Sequence, residues 1–319
     1  MKPLGSSSDP LEEVAEQLLQ NVPSLDAVTV QYEPSIGSVA SPVHRGVESR
    51  CFNVDAGPGQ MFLKVRYPDM AAFFDEVTVH EGAKRASETG VGPRLIHADP
   101  KTGCYLFERL GEDWHWGKID DFADRTVLEH TIAAKKTLHK GEPASASRSV
   151  FDVIEDFAKI VEQEQISVPK TLIVVLQKVR RIADAIMAAG VSPVPCHADG
   201  VASNVMISTA GEVRLVDFDS YGNQDPYFDL GSMIVEIAQF PDLARAVLEI
   251  HDGECRQTEF NRCMLYGIAD DLKWALWGFI SFKRSHRSQV EFVKYAEWRL
   301  LRGLANADGP EFDRWLKKL

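Results

Sequence analysis

The chain has 319 residues, with 35 Lys and Arg against 47 Asp and Glu for a formal charge of −12, and 45% of its residues are hydrophobic. At roughly 150 residues per domain this length predicts about two domains or lobes, each able to bury a core. The composition excludes disordered and fibrous classes, and the acidity argues against nucleic-acid binding and against attachment to anionic membranes, so a cationic or small-molecule ligand is the easier partner.

The opening MKPLGSSSDP has one Lys and no apolar run, which does not read as a signal peptide. Asp9 as N-cap and Pro10 at the first helical position predict a helix, with Leu11, Val14, Leu18 and Leu19 at helical spacing. Between about 28 and 66 the segments VTVQY, CFNV and MFLKV alternate with turn signals, including DAGPG at 55–59, and predict an antiparallel sheet with a hairpin. A helix over roughly 70–89 ends before Gly90, and PRLIHAD and GCYLFERL give two further strands around an Asp-Pro turn. Residues 1–110 thus read as a small α+β unit.

From about 120 onward the pattern is mostly helical: VFDVIEDFAKIVEQ, the run from Leu172 to Ala189, and a segment beginning at Asp270. One β-rich island interrupts it, VPCHADGVASNVMISTAGEVRLVDFDSYG, whose runs Asn204–Ser208 and Val213–Val216 predict a hairpin. No stretch approaches the roughly 18 apolar residues of a membrane span. The five cysteines form no CxxC pair, so neither a disulfide framework nor a zinc site is expected, and a reducing cytoplasm fits best.

The island carries His197-x-Asp199-x-x-x-x-Asn204, and thirteen residues after Asn204 comes Asp217-Phe218-Asp219. Phosphoryl transfer needs a carboxylate near the attacking hydroxyl and hard oxygen ligands for magnesium, and Asp199, Asn204 and Asp217 have the types and spacing for both. An HxDxxxxN string alone is weak, because loop Asp and Asn are commonly turn formers; the second acidic motif strengthens it. Lys64 stands alone in the apolar strand MFLKV, where a kinase-type enzyme keeps the Lys that pairs the ATP phosphates. A helical Glu should hold that Lys: Glu76 and Glu81 are candidates, with Glu76 preferred because Val79, Ala83 and Ala86 put it beside the buried face. HRGVESRCF, with Gly46 and Ser49, lies where a phosphate-covering loop would be, though it is not GxGxxG. Phe107, Glu108 and Leu110 in YLFERL occupy the place of a hinge presenting backbone groups to adenine.

The order Lys64, helical Glu, CHADGVASN, LVDFD and DPYFDLGSMIVE resembles the aminoglycoside phosphotransferase and choline/ethanolamine kinase group, and LVDFDSYGNQDPYFDL is similar to its choline branch. The resemblance runs from about 45 to 300. It implies a protein-kinase-like bilobal α+β fold: a small nucleotide-binding lobe with an antiparallel sheet (1–110) and a larger, mainly helical lobe carrying catalysis and substrate binding (111–319). It further implies ATP and Mg²⁺ as cofactors and a small cationic alcohol, choline or ethanolamine, as acceptor; an aminoglycoside, a homoserine-like alcohol, or a catalytically silent nucleotide-binding protein are the alternatives. Asp199 would take the hydroxyl proton, Asn204 and Asp217 would hold magnesium with Asp219 beside a second ion, and His197 and Asp229 would brace the loop. Trp274, Trp277, Phe292 and Tyr295 match the segment that lines the ammonium pocket. Aromatic faces and a carboxylate, here Glu236, are what can bind a group without an N–H donor. Trp at i and i+3 on an apolar helix is also ordinary core packing. Gly200 after the catalytic Asp, Ser220 with Tyr221 one place later, and the short spacing from Phe292 to Tyr295 depart from the family pattern.

Overall fold

Asp9 starts the first helix through its carboxylate, which accepts from the Leu11 and Glu12 amides, and α1 runs Pro10–Gln20. The computed structural model describes residues 1–319 except 27, 36, 41–43 and 58. Strands β1 (Lys2–Pro3), β2 (Gln31–Pro34), β3 (Ser49–Ala56), β4 (Gly59–Arg66), β5 (Leu95–Asp99) and β6 (Cys104–Glu108) form one antiparallel sheet in the order β1-β2-β3-β4-β6-β5. The hairpin β3–β4 sets Cys51 opposite Lys64, and β6 sets Tyr105 on the other side of Lys64. Alternation then sends Leu63 and Val65 into the core under α1, with Leu18, Leu19 and Phe52, and leaves Lys64 and Arg66 on the opposite face.

Helix α2 (Glu76–Thr89) covers that opposite face. It begins six residues later than the sequence pattern suggests, because 71–73 form a 3-10 turn and the Asp75 side chain caps the helix through the Val77 amide. Gly90 ends it in the left-handed region at φ 71°.

After β6 the chain enters the helical part: β7 (Trp114–Trp116), α3 (Arg125–His139), α4 (Val150–Gln163), α5 (Lys170–Ala189) and β8 (Val194–Cys196). The island becomes the hairpin β9 (Val205–Ser208) and β10 (Val213–Leu215), joined by β7 in a three-stranded sheet, while β11 (Gly222–Gln224) pairs with β8. Then come α6 (Pro226–Ile237), α7 (Pro241–Asp252), α8 (Gln257–Arg284), α9 (Phe292–Ala307) and α10 (Phe312–Lys317). Helix α8 is the axis of this half, and α4, α5, α6 and α9 all pack on it. It starts thirteen residues before Asp270. Its first residues were not legible as a start because Arg256 supplies no side-chain cap. Its Leu265, Ile268, Leu272 and Leu276 are fully buried, each contributing about 1.5–3 kcal/mol of transfer free energy. Among the described residues no helix is long and apolar enough to cross a membrane.

Candidate active site

The small-lobe sheet and the β9–β10 hairpin enclose a cleft of about 340 Å³. It brings together Gly46, Ser49, Lys64, Phe107, Glu108, Leu110, Asn204 and Asp217, residues spread over more than 170 positions of sequence. Trp114 and Trp116, to which no role attached in the sequence, line its outer part, with the Arg45 guanidinium 4.3 Å from the Trp116 ring centre.

Lys64 reaches Asp217 at 2.7 Å and Asp219 at 3.6 Å. Burial would depress the Lys64 pKa, but the two carboxylates outweigh it and the ammonium is held charged. The expected pairing with a helical Glu does not form. Glu76 accepts from Arg66 at 2.8 Å and from the Tyr105 hydroxyl at 2.7 Å, whereas Glu81 accepts from the Ser145 amide and hydroxyl. The reason is Arg66, two residues past Lys64 on the same face of β4, whose longer side chain reaches Glu76 and also grips both oxygens of Asp219, one at 2.9 Å. Asp219, expected beside a second ion, is thus already engaged by a guanidinium. Burial would raise its pKa, yet Arg66 and Lys64 hold it well below the usual carboxylate range. Asp217 is pushed up to about 7 by burial and by the Asp219 charge, against the pull of Lys64.

Asp199 lies on the loop after β8, its two oxygens accepting from the Val201 amide at 2.7 Å and the Asn204 side-chain amide at 3.0 Å. That bond aims the Asn204 nitrogen at Asp199 and leaves its oxygen as the atom a cation would take. His197 bridges the loop, one ring nitrogen to the Asp199 carbonyl at 3.2 Å and the other to the Val216 carbonyl at 2.9 Å. Burial, followed by the Lys135 charge, depresses its pKa. Asp229, fully buried at the start of α6, accepts from the Ala198 amide at 3.0 Å, Lys135 at 2.6 Å and His139 at 2.9 Å. Burial alone would raise its pKa; Lys135 and His139 force it well below the usual range.

Lys135 also donates to the Asp199 carbonyl at 3.1 Å, a brace the sequence reading missed. Its signal was present: Lys135 continues the apolar face of α3, between Leu128, Ile132 and Leu138. Ala198 and Asp217 hold left-handed φ of 59° and 65°, strain of about 1–3 kcal/mol each that the surrounding bonds must enforce. The departure at Gly200 has a steric cause: a Cβ there would lie 2.1 Å from the Ser232 carbonyl, so α6 passes too close for any side chain.

Trp274 and Trp277 on α8 face Phe292 and Tyr295 on α9, with ring centres 5.4 Å apart for the Trp pair, 6.0 Å from each Trp to Tyr295 and 5.7 Å from Trp277 to Phe292. All four rings belong to the buried core of this half. The His44 imidazole stands among these rings, its centre 5.2 Å from Trp274, 5.3 Å from Trp277 and 4.8 Å from Tyr295, with Glu48 at 2.7 Å from Nε2. Burial would lower its pKa, but Glu48, then Asp199 and Asp217, turn the net shift upward.

Trp274 and Trp277 also border a second cavity of about 150 Å³, together with Asp219 and Tyr221. Tyr221 packs its ring on Gly82 of α2 and keeps its hydroxyl unpaired among the described residues. Glu236 does not supply the carboxylate at the box in this structure: Arg299 at 3.4 Å and Arg302 at 3.3 Å take it up, in a network with Asp270 and Asp271 behind Tyr295. Glu48 stands there instead.

Among solved structures, the chain is similar to a choline/ethanolamine kinase family protein from Mesorhizobium loti at 23% identity, covering 97% of this chain and 98% of that one with a TM-score of 0.79. It is also similar to the choline kinase LicA from Streptococcus pneumoniae, at 18% identity, 93% and 99% coverage and a TM-score of 0.75. The gentamicin complex of APH(2")-IIa follows at 15% identity, 93% and 98% coverage and a TM-score of 0.60. At these identities they show the shared bilobal kinase-like fold. No curated protein matches the sequence significantly. The model of the phosphotransferase enzyme family matches residues 39–266, which include every element around the cleft and the Asp199 loop, and the chain therefore belongs to that family.

Proposed function

We propose that this phosphotransferase moves the γ-phosphate of ATP to the hydroxyl of a small cationic alcohol of the choline or ethanolamine type. The observation that carries the reading is the aromatic box of Trp274, Trp277 and Tyr295, which surrounds the His44 imidazole beside the Glu48 carboxylate and is joined to the Asp199–Asn204 segment by the bond from the Ser203 hydroxyl to the His44 carbonyl. Three rings with a carboxylate beside them are what an ammonium headgroup needs, each face contributing about 0.5–2 kcal/mol.

Magnesium, bound with the nucleotide, supplies charge neutralisation on the transferred phosphoryl group. Asn204 and Asp217 fit as its oxygen donors, since an amide oxygen and a carboxylate, both hard ligands, line the cleft together. Lys64 pairs with phosphate oxygens once it leaves Asp217, Gly46 and Ser49 cover them, and Phe107 to Leu110 receive the base. Asp199 orients the alcohol and accepts its proton as the oxygen attacks the γ-phosphorus and the bond to the bridging oxygen breaks. His197, Asp229 and Lys135 hold that carboxylate in place without touching substrate. The complete set of Lys64, Asp199, Asn204 and Asp217 speaks against a silent scaffold. A lobe boundary near residue 110 and a reducing compartment, supported by five free thiols, belong to the same reading.

A panel of alcohols coupled to ADP release tests it. Turnover with choline or ethanolamine is expected. Turnover confined to aminoglycosides or homoserine overturns the acceptor assignment, and nucleotide binding without ADP release across the panel overturns the activity.

A further inference from the structure

The aromatic box is occupied by the protein itself, and the occupant belongs to the nucleotide loop. His44 and Glu48 are both nearly fully buried, 6% exposed each. Their hydrogen bond spans two places: the imidazole fills the box between α8 and α9, while Glu48 lines the nucleotide cleft with Lys64, Asn204 and Asp217. Between them Gly46 holds φ 57°, a backbone setting that glycine adopts freely and that can pivot.

The loop is docked on the large lobe by few bonds. The Ser203 hydroxyl donates to the His44 carbonyl, and Arg287 donates to the Val47 carbonyl at 2.8 Å. The box meanwhile leaves polar atoms without partners. Trp274 Nε1, Trp277 Nε1, the Tyr295 hydroxyl and His44 Nδ1 are buried with no hydrogen bond among the described residues. Such groups are costly to leave unmet, so the imidazole is a poor permanent filling.

We infer that His44 is an exchangeable stopper in the acceptor site, and that nucleotide binding withdraws it, so that the alcohol's cationic end enters a box cleared by the nucleotide. The chemistry of the two sites makes the coupling directional. Glu48 places a carboxylate where the phosphates arrive, so the bound anion disfavours it there. Glu48 is hydrogen-bonded to His44, four residues away on the same loop, so displacement of the carboxylate draws the imidazole with it. An incoming ammonium group and the His44 imidazole compete for the same three ring faces, and only the ammonium compound carries the hydroxyl to be phosphorylated. The order of binding that results is nucleotide first and alcohol second, which keeps the acceptor site closed while no phosphoryl donor is present. This inference rests on the cationic-alcohol reading for the identity of the competitor, and on the His44–Glu48 geometry alone for the coupling.

The test follows the His44 Cε1–H resonance in protein labelled on its nine histidines, with the signal assigned by its loss in His44→Gln. Three neighbouring rings displace that signal in the nucleotide-free protein. It is expected to move toward the position of a free imidazole when Mg²⁺ and a non-hydrolysable ATP analogue saturate the cleft. In parallel, the Kd for tetramethylammonium is expected to tighten roughly tenfold with the analogue bound, and His44→Ala without nucleotide is expected to bind it as the loaded wild type does. A His44 signal that keeps its displacement at saturating nucleotide overturns the stopper. Movement of the signal with no tetramethylammonium binding by either loaded wild type or His44→Ala upholds the coupling and overturns the cationic-acceptor reading instead.

Discussion

Lys135→Met probes the brace under the catalytic loop. Lys135 is 1% exposed and Asp229 is fully buried, with 2.6 Å between their charged atoms. At an effective dielectric of 20 that distance corresponds to about 6 kcal/mol of gross attraction, most of which offsets the cost of burying the two charges. Removing one partner strands the other, a change that costs about 3–5 kcal/mol; His139, still 2.9 Å from Asp229, places this case near the lower figure.

For a chain of this length, with about 2.1 cal/mol/K of unfolding entropy per residue, about 3 kcal/mol lowers Tm by about 4–5 °C at pH 7. The sign with pH is fixed by the carboxylate. In the wild type the Asp229 pKa is depressed, so its stabilisation is present above the ordinary Asp pKa near 4 and is lost as pH falls below that value. The variant lacks most of this term, so the gap between the two melting temperatures stays constant from about pH 7 down to about 4.5 and narrows as pH falls further toward about 3. Differential scanning calorimetry across that range measures it. A variant that melts within about 1 °C of the wild type at pH 7, or a gap independent of pH, would refute the charge argument.

Asp199→Ala should abolish turnover while nucleotide affinity changes less than about threefold by calorimetry, a fraction of 1 kcal/mol; full activity would remove Asp199 from its role. Trp274→Ala and Trp277→Ala should each raise KM for a quaternary amine by about 2- to 30-fold with basal ATP hydrolysis retained, and an unchanged KM in folded protein would return the pair to core packing. Chelation of magnesium should weaken ATP binding strongly, because the Asp217 and Glu48 carboxylates otherwise face the phosphates in the cleft; affinity indifferent to chelation would count against that placement. Gly200→Ala should lower both Tm and kcat, at least about 1–3 kcal/mol of overpacking, since the added methyl meets helix backbone that cannot rotate away.

What was legible in the sequence was what short stretches of chain decide. Asp9 before Pro10 is a local cap, and HADGVASN with LVDFD puts loop carboxylates and an amide at spacings that the short hairpin β9–β10 preserves. The lone Lys64 in an apolar strand is local in the same way. Pairings between distant elements were not legible. Whether Glu76 meets Lys64 or Arg66 depends on the height of α2 over β4, which no pattern within either element reports, and the Asp75 cap moves the start of α2 by most of two turns. Glu236 fits a pocket carboxylate by motif, yet its partners Arg299 and Arg302 come from α9, more than sixty residues on. His44 looked like an unremarkable loop residue, because the rings that hold it are assembled only when α8 and α9 pack together.

The contact at Gly200 reaches further than the absence of one side chain. Because the catalytic loop rests on the peptide groups of Ser232 and Met233, its height is inherited from a helix backbone, which substitution of side chains leaves unchanged. The acceptor box, built wholly from side chains on α8, α9 and one loop, has no such anchor. If the proposed function holds, reactive machinery and acceptor preference are mutationally separable: changes to the side chains of the box would alter the alcohol accepted while the Asp199 loop keeps its place on α6.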